Sequence, residues 1–159
     1  MLKIRPATRK DAALIVKFIR ALAEYEREPR AAVVTTADIL RDGFGPKPRF
    51  HVVIAEWDRK PAGFALWFYN YSTWQGRAGI YLEDLFVYPE FRGKGIGKAL
   101  LVHLARVAIR QKCGRYVWQV LDWNTPSIKF YESLGATIMK EWLTMRVEGE
   151  ALKKLAERT

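Results

Sequence analysis

Cysteine is nearly missing from this chain: Cys113 is the single one among 159 residues. That excludes an internal disulfide and a cysteine-rich metal site. Histidine is almost as scarce, with His51 and His103 alone, and no cluster of ligands suggests a metal. No apolar run approaches the ~20 residues that a membrane-spanning helix needs. The opening stretch, MLKIRPATRKDAAL, lacks the apolar core of a signal peptide. No repeat, low-complexity tract or long linker is visible. The expectation is a cytoplasmic protein away from membranes, with no metal and with structural roles for His51, His103 and Cys113.

Acidic side chains are also in the minority, 17 against 27 Lys and Arg, for a net charge of +10. The imbalance is local. Residues 89–115 hold Arg92, Lys94, Lys98, Arg106, Arg110, Lys112 and Arg115 against Glu90. Residues 24–42 are acidic on balance, with Glu24, Glu26, Glu28, Asp38 and Asp42 against Arg27, Arg30 and Arg41. Such asymmetry suits an anionic ligand on one side and a cationic one on the other. A hydrophobic content of 50% at this length suits one well-packed domain, residues 1–159.

Lys3–Pro6 reads as a first strand. A helix capped by Thr8 follows, with Ala12, Ile15, Ile19 and Leu22 on its inner face. Thr35 and Asp38 form a capping pair for a short helix ending near Gly43. Residues 50–56 and 63–69 are strand-like, with turn chemistry at Asp58–Pro61 between them, a hairpin. Ala78–Tyr88 is the next strand, Gly95–Cys113 a long helix, and Arg115–Leu121 another strand. Asn124 caps a helix with Pro126 in its first turn and Gly135 at its end. Thr137–Val147 is β-rich, and Glu148–Arg158 is helical.

The densest signal is Leu82–Leu101, LEDLFVYPEFRGKGIGKALL, an apolar strand, a glycine-rich turn and an amphipathic helix. Glycine at 93, 95 and 97 lets the backbone turn tightly and approach a ligand. The amides of Arg92–Gly97 converge on an anion at the helix's positive end, with Arg92, Lys94 and Lys98 adding charge. No Gly-Lys-Ser/Thr occurs, which excludes a nucleoside-triphosphate P-loop. Lys98 stands where a dinucleotide fingerprint needs its third glycine.

Arg92-Gly93-Lys94-Gly95-Ile96-Gly97 fits R/Q-x-x-G-x-G/A, and NTPSIKFYESLG at 124–135 fits N-x-x-[AS]-x-x-x-Y-x-x-x-G. Together they resemble the GNAT superfamily of acetyl-CoA-dependent N-acetyltransferases. IRPAT, AEYE at 23–26, DGFG at 42–45, YLEDLFV at 81–87 and WNTPSIKFY at 123–131 are similar to its spermidine/spermine (diamine) branch. The resemblance implies an α/β (α+β) fold with a mixed, mostly antiparallel central sheet and helices on both faces.

The resemblance also implies acetyl-CoA as donor, a small-molecule amine as acceptor and a homodimer. It places Leu85, Phe86, Val87, Arg92, Gly93, Lys94, Gly95, Ile96, Gly97, Lys98, Asn124, Ser127 and Tyr131 at the coenzyme, with the Val87 amide as oxyanion donor. Amine acetylation needs a proton acceptor, because an alkyl ammonium near pKa ~10.4 is charged at neutral pH. Glu83, in an apolar strand beside the loop, is the candidate, and alternation places it opposite to Asp84. Tyr131 shares a helical face with Asn124 and Ile128, and a phenol can protonate the leaving thiolate. Tyr25, Glu26 and Trp74, with Glu83, are the candidate amine contacts. Open alternatives are an aminoglycoside, protein N-terminus or lysine as acceptor, a non-catalytic acyl-CoA binder, and a nucleic-acid module. The last is disfavoured because the bases cluster at the coenzyme loop and no nucleic-acid motif is visible.

Overall fold

Residues 1–158 are described by a computed structural model of the chain. It forms two compact units, Met1–Leu121 and Asp122–Thr159. In the first, the hydrophobic strands align as one five-stranded sheet. Strand β1 (Leu2–Pro6) pairs with β2 (His51–Trp57), β2 with β3 (Lys60–Ser72), and β3 with β4 (Arg77–Val87), all antiparallel. Strand β5 (Tyr116–Trp118) lies parallel to β4 at the far edge. The β2–β3 hairpin turns at Asp58 and Arg59, whose φ values of 48° and 66° are those of a tight hairpin turn.

Along β2 and β3 residues of alternate parity divide between the two faces, and β4 supplies side chains to both. On one, Val52, Ile54, Phe64, Leu66 and Phe86 meet Ala12, Ile15, Val16, Phe18 and Leu22 of helix α1 (Ala12–Tyr25). Helix α2 (Thr36–Gly43) adds Ile39 to this core. The other face carries Val53, Ala65, Trp67, Ile80 and Leu82, buried like Ile96, Leu100, Leu101 and Leu104 of helix α3 (Ile96–Arg110). The mostly antiparallel sheet with helices on both faces is the architecture expected.

Local details follow the sequence unevenly. Thr35 accepts from the Asp38 amide at 3.2 Å, and Asp38 accepts from the Thr35 amide at 2.9 Å, closing the capping box. Thr8 caps a single 3-10 turn (Arg9–Asp11) that leads into α1. The inner face of α1 includes Phe18, fully buried and stacked at 5.0 Å on Phe64, whereas Ile19 is only half-buried. The strand expected at Arg115–Leu121 shortens to β5.

In the second unit, helix α4 (Thr125–Ser133) begins at Asn124, and helix α5 (Gly149–Ala156) is exposed. The β-rich reading of Thr137–Val147 is not met, since no residue of that segment is in a strand. Composition favours a strand there, but a strand also needs a partner backbone, which composition cannot supply.

Candidate active site

The placement of the acids follows from one irregularity in β4. Across the β3–β4 ladder Leu66 faces Asp84, yet its neighbour Trp67 faces Leu82, so Glu83 is an extra residue with no partner on β3. Such a bulge shifts the phase of alternation. Ile80 and Leu82 lie with Trp67 on the α3 face, while Asp84 and Phe86 lie with Leu66 and Phe64 on the α1 face. Strict alternation would have separated Glu83 from Asp84. The bulge instead sets them close enough for each to act on nearby ionisable groups.

Three carboxyls converge as a result. Asp84 is pushed up to about 7, chiefly by burial and then by the charges of Glu83 and Glu26. Glu26, the C-cap of α1, is raised above the ordinary carboxylate range by burial and by Glu83. Tyr81, stacked on Phe68 at 5.1 Å, is raised by burial and by the same Glu83. Among the described residues, none of the three acids has an ion-pair partner. In a protein with 27 basic side chains, unpaired acids grouped beside one strand have the chemistry to receive a cation.

Backbone geometry prepares the other half. Pairing of β4 with β5 stops at Leu82 and Trp118, so Glu83–Val87 has an edge with no strand on that side among the described residues. That edge can take hydrogen bonds from an extended amide-bearing ligand. After a 3-10 turn at Pro89–Phe91, Gly93 and Gly95 adopt φ of 75° and 76°, with open space where a Cβ would stand. Gly95 caps α3, whose first amides have no partner within the helix. A loop of this shape fits an anionic, phosphate-bearing group.

Arg92 does more than add charge to that loop. Its Nε donates to the Val87 carbonyl at 3.0 Å. Its guanidinium lies 4.9 Å from the Tyr25 ring centre and 5.6 Å from that of Phe86. Tyr25 ends α1 and Glu26 follows it, so Arg92 ties the loop to the acidic side of the site. Lys94 lies over the Trp57 ring at 5.0 Å.

One candidate of the first unit stands apart. Trp74 is in the turn joining β3 to β4, about 20 Å of strand from Glu83 at ~3.3 Å per residue. Asn124, Ser127 and Tyr131 lie in the second unit. There the Asn124 side chain accepts from the Ser127 amide at 3.4 Å, and Tyr131 lies within α4. Asp84 joins the candidates only in the structure. Its signal was two adjacent acids inside the apolar run LEDLFV, which breaks a period of two and marks a bulge.

The match to known proteins is broad. The family model for the acetyltransferase (GNAT) family matches residues 16–136. A thialysine N-epsilon-acetyltransferase of Mus musculus is 38% identical, over 98% of this chain and 98% of that protein. An L-ornithine N5-acetyltransferase of Arabidopsis thaliana is 44% identical, over 96% of this chain and 87% of its own. Among solved structures, an integron cassette protein from the mobile metagenome of V. cholerae is 30% identical, with a TM-score of 0.83 over 99% of this chain and 98% of that one. With these relatives and with both signatures in order, the chain belongs to the acetyltransferase (GNAT) family as an N-acetyltransferase of its diamine-acetyltransferase branch.

Proposed function

We propose that the protein transfers an acetyl group from acetyl-CoA to a primary amine of a polyamine, a diamine or a lysine-like amino acid, by direct attack with both substrates bound. The observation that carries this reading is the unpaired group Glu26, Glu83 and Asp84 beside the open edge of β4. Thialysine and ornithine, in the names of the two relatives, both present an alkyl ammonium to an acetyltransferase.

The coenzyme supplies an acetyl thioester. Arg92–Gly97, with Lys98, is proposed to hold its phosphates through the amides of the Gly93–Gly95 turn and the start of α3. The Leu85–Val87 edge is proposed to receive its amide-bearing arm. Tyr25 and Glu26 meet the alkyl ammonium. One proton then passes from the ammonium nitrogen to the Glu83–Asp84 pair, directly or through water. A carboxyl poised near neutral pH accepts that proton more readily than an ordinary one. The neutral nitrogen forms its bond to the acetyl carbon while the Val87 amide donates to the carbonyl oxygen. As the carbon–sulfur bond breaks, the sulfur takes a proton from Tyr131, the role the family signature gives it, and the second proton lost by the nitrogen restores the phenol. The family signature supports Asn124 and Ser127 as coenzyme contacts.

The family match crosses the boundary at Leu121, which supports residues 1–159 acting as one acetyltransferase domain. A homodimer and a cytoplasmic location complete the proposal, on the pattern of the diamine branch. A thiol-release assay with acetyl-CoA and a panel of thialysine, ornithine, lysine, putrescine, spermidine and an aminoglycoside tests it. Turnover fastest with the alkyl amines supports the reading. Preference for the aminoglycoside shifts the acceptor, and tight coenzyme binding with no turnover would leave a non-catalytic acyl-CoA binder.

A further inference from the structure

Away from the acids and the glycine loop, a cavity of about 460 Å³ opens where the end of β1, the 43–50 loop, β2, β3 and the last turns of α3 meet. Sites for small organic molecules fall in this size range. Its walls are largely apolar, including Phe44, Phe50, Trp67 and Val107. Among the described residues no carboxylate lines it, and its charged or hydrogen-bonding side chains are His51, His103, Arg110 and the Trp67 indole.

Each of these groups has unused capacity. Trp67 is 6% exposed, and its Nε1 has no hydrogen-bond partner among the described residues. An indole N–H only donates, so at this depth it needs an acceptor that the fold has not provided. Burial lowers both imidazoles, and Arg110 and Arg106 lower His103 further, so at neutral pH each ring has one donor and one acceptor. The Arg110 guanidinium has no ion-pair partner among the described residues, and α3 carries no acid anywhere along its length.

We infer that this cavity is a second ligand site, separate from the acetyl-transfer site, for a small aromatic carboxylate. The flat apolar body suits Phe44, Phe50 and Trp67, and the carboxylate answers Arg110 and the unsatisfied Trp67 N–H. An amine is excluded by the lack of any acid in the lining. A bare inorganic anion would leave the aromatic walls without a partner. This inference does not rest on the proposed acceptor, because no lining residue belongs to the amine site or to the glycine loop.

The test is a titration of the full chain with benzoate, with benzyl alcohol and benzylamine as the neutral and cationic matches. Binding is read from the Trp67 indole N–H resonance, assigned by its loss in Trp67→Phe. A saturable shift with benzoate is expected, about tenfold weaker with benzyl alcohol and weakened about as much by Arg110→Gln. Arg110→Gln lies at the exposed end of α3, and unchanged acetyl-CoA affinity in that variant shows it is folded. No saturable shift with benzoate overturns the inference. So does equal binding of benzyl alcohol or benzylamine, or benzoate binding indifferent to Arg110→Gln.

Discussion

The unit Met1–Leu121 contains two groups of acids with opposite surroundings. Near the sheet edge, Asp11 accepts both terminal nitrogens of Arg5 at 2.9 Å, and Glu56 accepts Arg5 Nε at 2.7 Å. The guanidinium holds the Asp11 carboxyl down at about 2. Beside β4, Asp84 has no such partner among the described residues, and burial with Glu83 and Glu26 pushes it up to about 7. The same functional group is stabilised as a charge in one place and penalised as a charge in the other. The paired acids are held as charges by their guanidinium, and the unpaired ones have the chemistry to receive a ligand cation.

The largest effects test that division directly. Asp84→Asn and Glu83→Gln should each lower kcat/KM by about 10²-fold or more at pH 7, the scale of a lost proton acceptor. Glu83→Gln should recover part of its rate at high pH, where the amine is already neutral, and equal loss at every pH would remove its proton-accepting role. Asp84→Asn should at the same time be more stable than the parent above neutral pH. The folded protein keeps the Asp84 proton up to about pH 7, whereas the unfolded chain has lost it by about pH 4. Stability therefore falls as pH rises through that window. Urea denaturation should show a gain on the order of 2 kcal/mol for the variant at pH 8 and none at pH 4.

Tyr131→Phe extends the comparison to the second unit. Turnover should fall about 10- to 100-fold with coenzyme affinity kept within about twofold, the pattern of a lost proton donor. An unchanged rate would remove the acid role of Tyr131.

Arg5→Met probes the framework group. Leaving Asp11 and Glu56 without their partner should cost about 2–3 kcal/mol of stability at pH 7 with kcat unchanged. Asp11 is lowered on folding, so its contribution is present above pH ~4 and is lost as pH falls through about 2. The parent and the variant should therefore converge in denaturation midpoint toward pH 2. If Arg5→Met abolished turnover while Asp84→Asn did not, the contrast between the two groups would be reversed.

The smallest effect is expected at Arg92, which touches both halves of the site. Arg92→Lys keeps the charge but loses the planar stack on Tyr25 and the fixed bond to Val87. The amine KM should rise about threefold to tenfold, with kcat little changed. A loss confined to acetyl-CoA affinity would make Arg92 a phosphate ligand alone.

Motifs whose meaning is local are legible from the order of residues. Thr35 and Asp38 cap α2 as their spacing implies, and Gly93 and Gly95 take the left-handed conformations for which glycine is suited. Periodicity misleads where neighbours decide the outcome. It leaves Phe18 out of the inner face of α1, where Phe18 is fully buried against Phe64, although Ile19 packs against the same core as its spacing implies. Thr137–Val147 has strand composition without a partner strand.

By itself, then, the sequence determined the glycine turn before a helix and the two signatures at 92–97 and 124–135. These depend on backbone conformation and spacing within a few consecutive residues, so identity and order are enough to reveal them. The tertiary structure alone decided that Glu83 is a bulge and that Asp84 turns to the α1 face beside Glu26. Register between strands depends on contacts far apart in the chain, and a one-residue shift there exchanges the faces of every residue beyond it.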